Sequence, residues 1–168
     1  MRMKSSLSTK LLGLGVGFLL VALLSIGLTL WVTWKLEGGA AAVNEAGRLR
    51  MHMLRMVVAQ QTESPENLRV LANNFDASLE LLRTGDPARP LYVPWSADTQ
   101  ARFDAIRLAW GELRQDLGRD AVPAGAAAVG RADGFVQLVD GFVDAIEVQI
   151  AHWTAALRFF QLGMMALA

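Results

Sequence analysis

The chain has 168 residues, 16 basic and 16 acidic side chains and a hydrophobic content of 53%, enough for one ordinary domain plus membrane anchors. A formal net charge of +0 argues against a nucleic-acid binder held by bulk charge. The lack of cysteine excludes thiolate metal sites, thiol nucleophiles and disulfides, and suits an extracytoplasmic bacterial segment.

Residues 1–10 carry Arg2, Lys4 and Lys10, which by the positive-inside tendency stay in the cytoplasm. Leu11–Trp34, LLGLGVGFLLVALLSIGLTLWVTW, runs for 24 residues without a charge. At about 1.5 Å per residue it exceeds a hydrocarbon core of roughly 30 Å. It reads as a transmembrane helix, with Trp31 and Trp34 at the far interface and the following residues on the periplasmic side of a bacterial inner membrane. A cleaved signal peptide is the rival reading, and EGGAAA at Glu37–Ala42 supplies small residues. Its apolar region is usually only about 7–15 residues long, however.

Residues 35–157 read as four helices, because apolar positions recur at three- and four-residue steps with no strand-like alternation. The expected fold is all-α, an antiparallel up-down four-helix bundle flanked by transmembrane helices. The first helix runs on to about Gln61. Ser64 and Pro65 then offer an N-cap and first-turn proline for a second, with Leu68, Leu71, Phe75 and Leu82 on one face. A proline-rich connection, Arg83–Pro94, follows. Ser96 caps the third helix, which carries Phe103, Ile106, Trp110, Leu113 and Leu117 and ends at Gly118. After the connection AVPAGAAAVG, the fourth helix shows a heptad-like stripe of Val136, Val139, Val143, Ile146, Ile150 and Trp153. Residues 158–168 are apolar but too short to span, and read as the start of a second transmembrane helix that is cut short.

The segment that calls for explanation is Asn44–Arg55, NEAGRLRMHMLR, with three arginines on the first helix. A heptad seam drawn through Ala40, Val43, Gly47, Arg50, Leu54, Val57 and Gln61 places Arg50 in an otherwise apolar or small-residue line. Gly47 lies nearly one turn before it, where glycine costs a helix about 1 kcal/mol relative to alanine. If the seam is a two-fold homodimer contact, two Arg50 side chains face each other. Two like charges at 4 Å in an effective dielectric of 20 repel by about 4 kcal/mol. A small planar anion shared by two guanidinium forks would resolve that repulsion. The other reading is a solvated stripe of Arg48 and Arg55, with Arg50 snorkelling or paired to Glu45 or to a carboxylate of another helix. Spacing alone leaves both open.

This segment resembles the signature box of the periplasmic sensor domain in respiratory nitrate/nitrite sensor histidine kinases of the NarX and NarQ type, whose pattern is close to N-x-A-G-x-L-R-M-x-x-x-R. Asn44, Ala46, Gly47, Leu49, Arg50, Met51 and Arg55 match it. FVQLVDGFVDAIE, Phe135–Glu147, resembles that family's fourth-helix segment. LLRTGDPARPLYVP, followed by Trp110, is similar to the N-terminal domain of type IV pilus chemoreceptors of the PilJ type, which belongs to the same superfamily.

The nitrate-sensor resemblance implies that nitrate or nitrite binds at a homodimer interface. Arg50 would make the charge contact, main chain near Gly47 would close the site, and Arg55 would support it. Binding would pass a helix displacement across the membrane to a cytoplasmic kinase or other signalling domain. Arg48 and His52 depart from the pattern and would tune which anion is preferred. The pilus-type resemblance implies the same bundle with a different ligand.

A haem or metal bundle is a further class, because Met51, Met53 and Met56 lie near His52, and His152 sits on the fourth helix. The sequence lacks the Glu-x-x-His pairs of di-iron bundles and any C-x-x-C-H box, so the methionines are expected in the core and no cofactor or metal is expected. No nucleophile with a matching base is evident. The chain reads as a receptor portion rather than an enzyme, with the kinase domain outside it.

Overall fold

The computed structural model describes residues 7–62, 65–86, 88–118 and 126–167. They form four helices: α1, Leu7–Thr62; α2, Pro65–Thr84; α3, Ala97–Gly118; and α4, Ala126–Leu167. Among the described residues the one β feature is an isolated antiparallel bridge between Asp86 and Leu91. The all-α expectation therefore holds. The proposed cap at Ser64 falls outside the described residues. The start of α4 differs from expectation, because the AAAVG portion of the supposed connection is already helical. Alanine is the best helix former and carries no apolar periodicity to reveal it.

Contacts divide the chain into two units, one made from the ends up to Trp34 and from Trp153 onward, the other Lys35–His152. The second is slightly shorter than the residues 35–157 read from sequence. In the first unit, α1 exposes large apolar side chains such as Leu12, Leu14 and Phe18, and Trp31 meets Trp153 at 6.5 Å between ring centroids. Among the described residues one helix, α1, is long and apolar enough to cross a membrane, with a mean hydropathy of 2.5 over an 18-residue stretch.

The second unit is a bundle in which each helix meets the next and α4 returns to α1. Glu45 joins α1 to α2 through Ser78, and Trp110 Nε1 of α3 donates to Asp76 of α2 at 2.6 Å. Arg131 of α4 pairs with Asp116 of α3 at 2.7 Å, and Arg50 of α1 pairs with Asp140 of α4 at 2.6 Å. The interior holds Leu49, Phe75, Phe103, Ile106, Phe142 and Ile146, each at most 1% exposed. Burying one such side chain is worth roughly 1.5–3 kcal/mol. The expected stripe on α4 is broadened: Val139, Val143 and Ile146 are buried as expected, and Phe135 and Phe142 join them.

Helix ends follow local chemistry. The N–H of Gly85 donates to the Leu81 carbonyl at 2.9 Å, and its φ of 81° closes α2 with a left-handed residue that only glycine adopts without strain. At α3 the Ser96 hydroxyl accepts from the Thr99 N–H at 3.2 Å, as the sequence predicted. Between them, the connection lies against α1. Tyr92 N–H donates to the Gly38 carbonyl at 3.0 Å, and Lys35 Nζ stands 3.4 Å from the Tyr92 ring centroid.

Gly38 makes this approach possible, because a Cβ there would stand 2.8 Å from the Cβ of Tyr92. Gly38→Ala is expected to destabilise the bundle by about 1–3 kcal/mol despite alanine's better helix propensity. At Gly39 a Cβ would meet only the Ile150 side chain, Cδ1 at 2.5 Å and Cγ1 at 3.0 Å, so Gly39→Ala should cost less, since a side chain can change rotamer where the backbone at Tyr92 cannot move away as easily. Comparing the unfolding of both variants checks the order.

Candidate functional site

At about 100° per residue, NEAGRLRMHMLR wraps most of the circumference of α1. Glu45, Ala46, Leu49 and Met53 face the interior. Asn44, Arg48, Met51, Leu54 and Arg55 are exposed, while Gly47, Arg50 and His52 are half-buried. Arg50 and Arg55 stand roughly 140° apart on the helix, so within one chain the box arginines do not converge. The surface line is also rotated from the seam read in sequence. Val43 and Val57 pack against the core, leaving Ala40, Gly47, Met51, Leu54 and Val58 as the outward stripe. The side chain of Gln61 lies outside the described residues.

Arg50 Nη1 donates to Asp140 Oδ1 at 2.6 Å, which realises the alternative of a carboxylate from another helix. With 38% and 45% of the side chains exposed, solvent screens the pair, and such contacts contribute about 0–1 kcal/mol. It is short but inexpensive to open. Gly47 is not demanded by packing within the chain, since a Cβ there would meet only Arg50 Nη2 at an ordinary 3.7 Å.

Glu45 is the strongest polar feature of the region, and the sequence reading assigned it no role beyond a candidate partner for Arg50. Its side chain is 1% exposed. Ser78 Oγ donates to Oε1 at 2.9 Å and Arg89 Nη2 to Oε2 at 2.8 Å, while Arg48 Nη1 reaches Oε2 at 3.4 Å. Arg89 Nε also donates to Asp86 Oδ2 at 2.8 Å. The Ala88 N–H and then Arg89 hold the Asp86 carboxyl below its ordinary 3.8. A carboxylate on α1 thus gathers α2 and the α2–α3 connection.

His52 is held below its ordinary pKa of 6.5, chiefly by burial and next by Arg55, with Arg48 acting in the same direction and Glu45 against. Its Nδ1 is buried without a hydrogen-bond partner. A depressed histidine pKa means that the unfolded chain takes up the proton first. Its contribution to stability is complete above pH 6.5 and is lost as pH falls from there through the folded-state value. Unfolding at pH 7.5 and pH 5 should show a smaller acid loss in His52→Gln than in the parent.

Met53 and Met56 are core residues, as expected, and Met51 is exposed. No cluster of three or more histidine, aspartate or glutamate side chains suited to a metal ion occurs among the described residues.

Four helices, the first of them apolar enough to span a bilayer, suit a sensory domain of the transmembrane receptor class. Residues 31–133 match the family model described as the type IV pili methyl-accepting chemotaxis transducer N-terminal domain. The chain belongs to this PilJ family, and it is a chemoreceptor sensor domain of the type IV pilus kind. No curated protein matches it significantly. The arginine box lies inside the matched range, as does the GDPARP connection whose Arg89 reaches Glu45.

Proposed function

We propose that this chain is the periplasmic receptor portion of a pilus-type chemoreceptor, and that two copies pair along the exposed stripe of α1 to signal to a cytoplasmic domain. The observation that supports it most is the family match over residues 31–133. The pairing draws on Met51, Leu54 and Val58, which are 52%, 48% and 60% exposed. A contiguous apolar line of this kind marks an interaction surface, and a bilayer would hold two copies side by side in parallel. Such a portion has no catalytic role of its own. Relative movement of α1 and α4, each with residues in both units, would carry the signal.

Because these 168 residues contain no cysteine, a single thiol introduced into them reports pairing cleanly. Leu54→Cys should give a disulfide-linked dimer when membranes are oxidised, whereas Leu108→Cys on α3, at a position 69% exposed, should remain monomeric. Equal cross-linking at the two positions, or none at Leu54→Cys, would refute pairing on this stripe.

Nitrate or nitrite is a second reading, favoured by the box residues Gly47, Arg50 and Arg55. An anion would have to displace Asp140 from Arg50, a weak exposed competitor. Asp140→Asn should then tighten nitrate binding in a calorimetric titration of the full chain, and Arg50→Ala should abolish it. A titration without saturable heat in parent and Asp140→Asn alike would rule this ligand out.

A further inference from the structure

A cavity of about 280 Å³ opens at the end of the Lys35–His152 bundle where α1 finishes and α4 begins. Its wall is mainly apolar: Met53 and Met56 from α1, Leu113 and Leu117 from α3, Phe135 and Leu138 from α4. The space exists because α3 and α4 contribute Ala109, Ala128, Ala132 and Gly134 at this level. Gly134 is informative, since it lies inside α4, where glycine is a poor choice, yet a Cβ there would meet nothing within 4 Å. Packing within the chain does not require that glycine.

We propose that this cavity is a binding site for a small monocyclic aromatic molecule carrying one uncharged polar group, a site separate from the α1 stripe and independent of the pairing described above. The volume exceeds the cavity of about 150 Å³ that holds benzene in an engineered protein, and leaves room for a ring with a short substituent. Two buried thioethers, Met53 and Met56, line it. Their sulfurs favour aromatic ring edges, and methionine adapts its shape to a guest. The rim holds Gln60, Glu112 and Arg131, the last paired with Asp116 at 2.7 Å. Both signs of charge therefore meet at the mouth, which favours a hydroxyl or amide head over an ion. Sites of this type are concave and largely apolar, with a few polar groups that orient the ligand.

The test uses the full chain in lipid nanodiscs, with 13C-methyl-labelled methionine and 4-ethylphenol as the probe. The Met53 and Met56 methyl signals should shift saturably and show nuclear Overhauser contacts to the probe ring. Met164 and Met165, which belong to the other unit, should change only in proportion to probe dissolved in the bilayer. Gly134→Leu, which places a branched side chain in the wall, should raise the half-saturation concentration at least tenfold while helical circular dichroism stays at the parent value. Linear shifts at Met53 and Met56, missing probe contacts in the parent, or unchanged half-saturation in a folded Gly134→Leu would each overturn the proposal. The parent contacts decide the matter even if that variant fails to fold. Met51, on the α1 stripe, reports pairing separately, so failure of one reading is not mistaken for failure of the other.

Discussion

Phe75→Ala is expected to lower the stability of the bundle by about 3–5 kcal/mol, the range for truncating a buried aromatic side chain. Phe75 is 0% exposed, stacks on Trp110 at 4.0 Å between centroids and meets the edge of Phe135 at 5.4 Å. Truncation leaves a cavity where α2, α3 and α4 converge. It also loosens Trp110, whose indole N–H is fixed on Asp76 at 2.6 Å. Helical circular dichroism followed through chemical denaturation should show an earlier midpoint. A loss below 1 kcal/mol would mean that the three rings do not form a common core.

The second large effect is expected at Glu45. Glu45→Ala removes an acceptor from Ser78 and Arg89 at once, and taking away one member of a buried charged network costs about 3 kcal/mol. Glu45→Gln should cost less, because its amide oxygen still accepts one hydrogen bond although the charge is gone. The distinguishing result is the position of the connection. In Glu45→Ala, protease cleavage near Arg89 should accelerate relative to the parent, whereas Phe75→Ala should accelerate cleavage throughout the bundle. Equal protection of the connection in Glu45→Ala and parent would show that Tyr92 on Gly38 suffices to hold it.

These two residues also show what could be read from sequence and what could not. Phe75 stood out because helical periodicity reports local geometry: a residue three or four places from other apolar ones shares their face. The Ser96 cap was legible for the same reason, its partner being Thr99. Glu45 offered no such mark. An acid beside arginines looks solvated, and the fact that buries it is Arg89, 44 positions later. Arg50 was recognised as unusual, but its partner Asp140 lies 90 positions away, beyond any local pattern. The cavity beside Gly134 was hidden too, because its space arises from small residues on two helices, α3 and α4, meeting at one level. Apolar recurrence supplied the fold and the family resemblance the pilus-type alternative, while helical geometry spread the arginine box of the nitrate-sensor resemblance around α1.

The resting of the α2–α3 connection on α1 has a mechanical corollary. Hydrogen bonds are directional and lose strength steeply with misalignment, so Tyr92 on Gly38 and Arg89 on Glu45 act as keys that fix the height of α1 against its neighbours. Where α4 meets α1, Ile150 lies against Gly39, and a solvent-facing ion pair joins Arg50 to Asp140. Apolar contact is non-directional and a screened pair re-forms cheaply after a small displacement. On the signalling reading proposed above, a shift of α4 along α1 within the Lys35–His152 unit would be opposed first where Ile150 lies against Gly39.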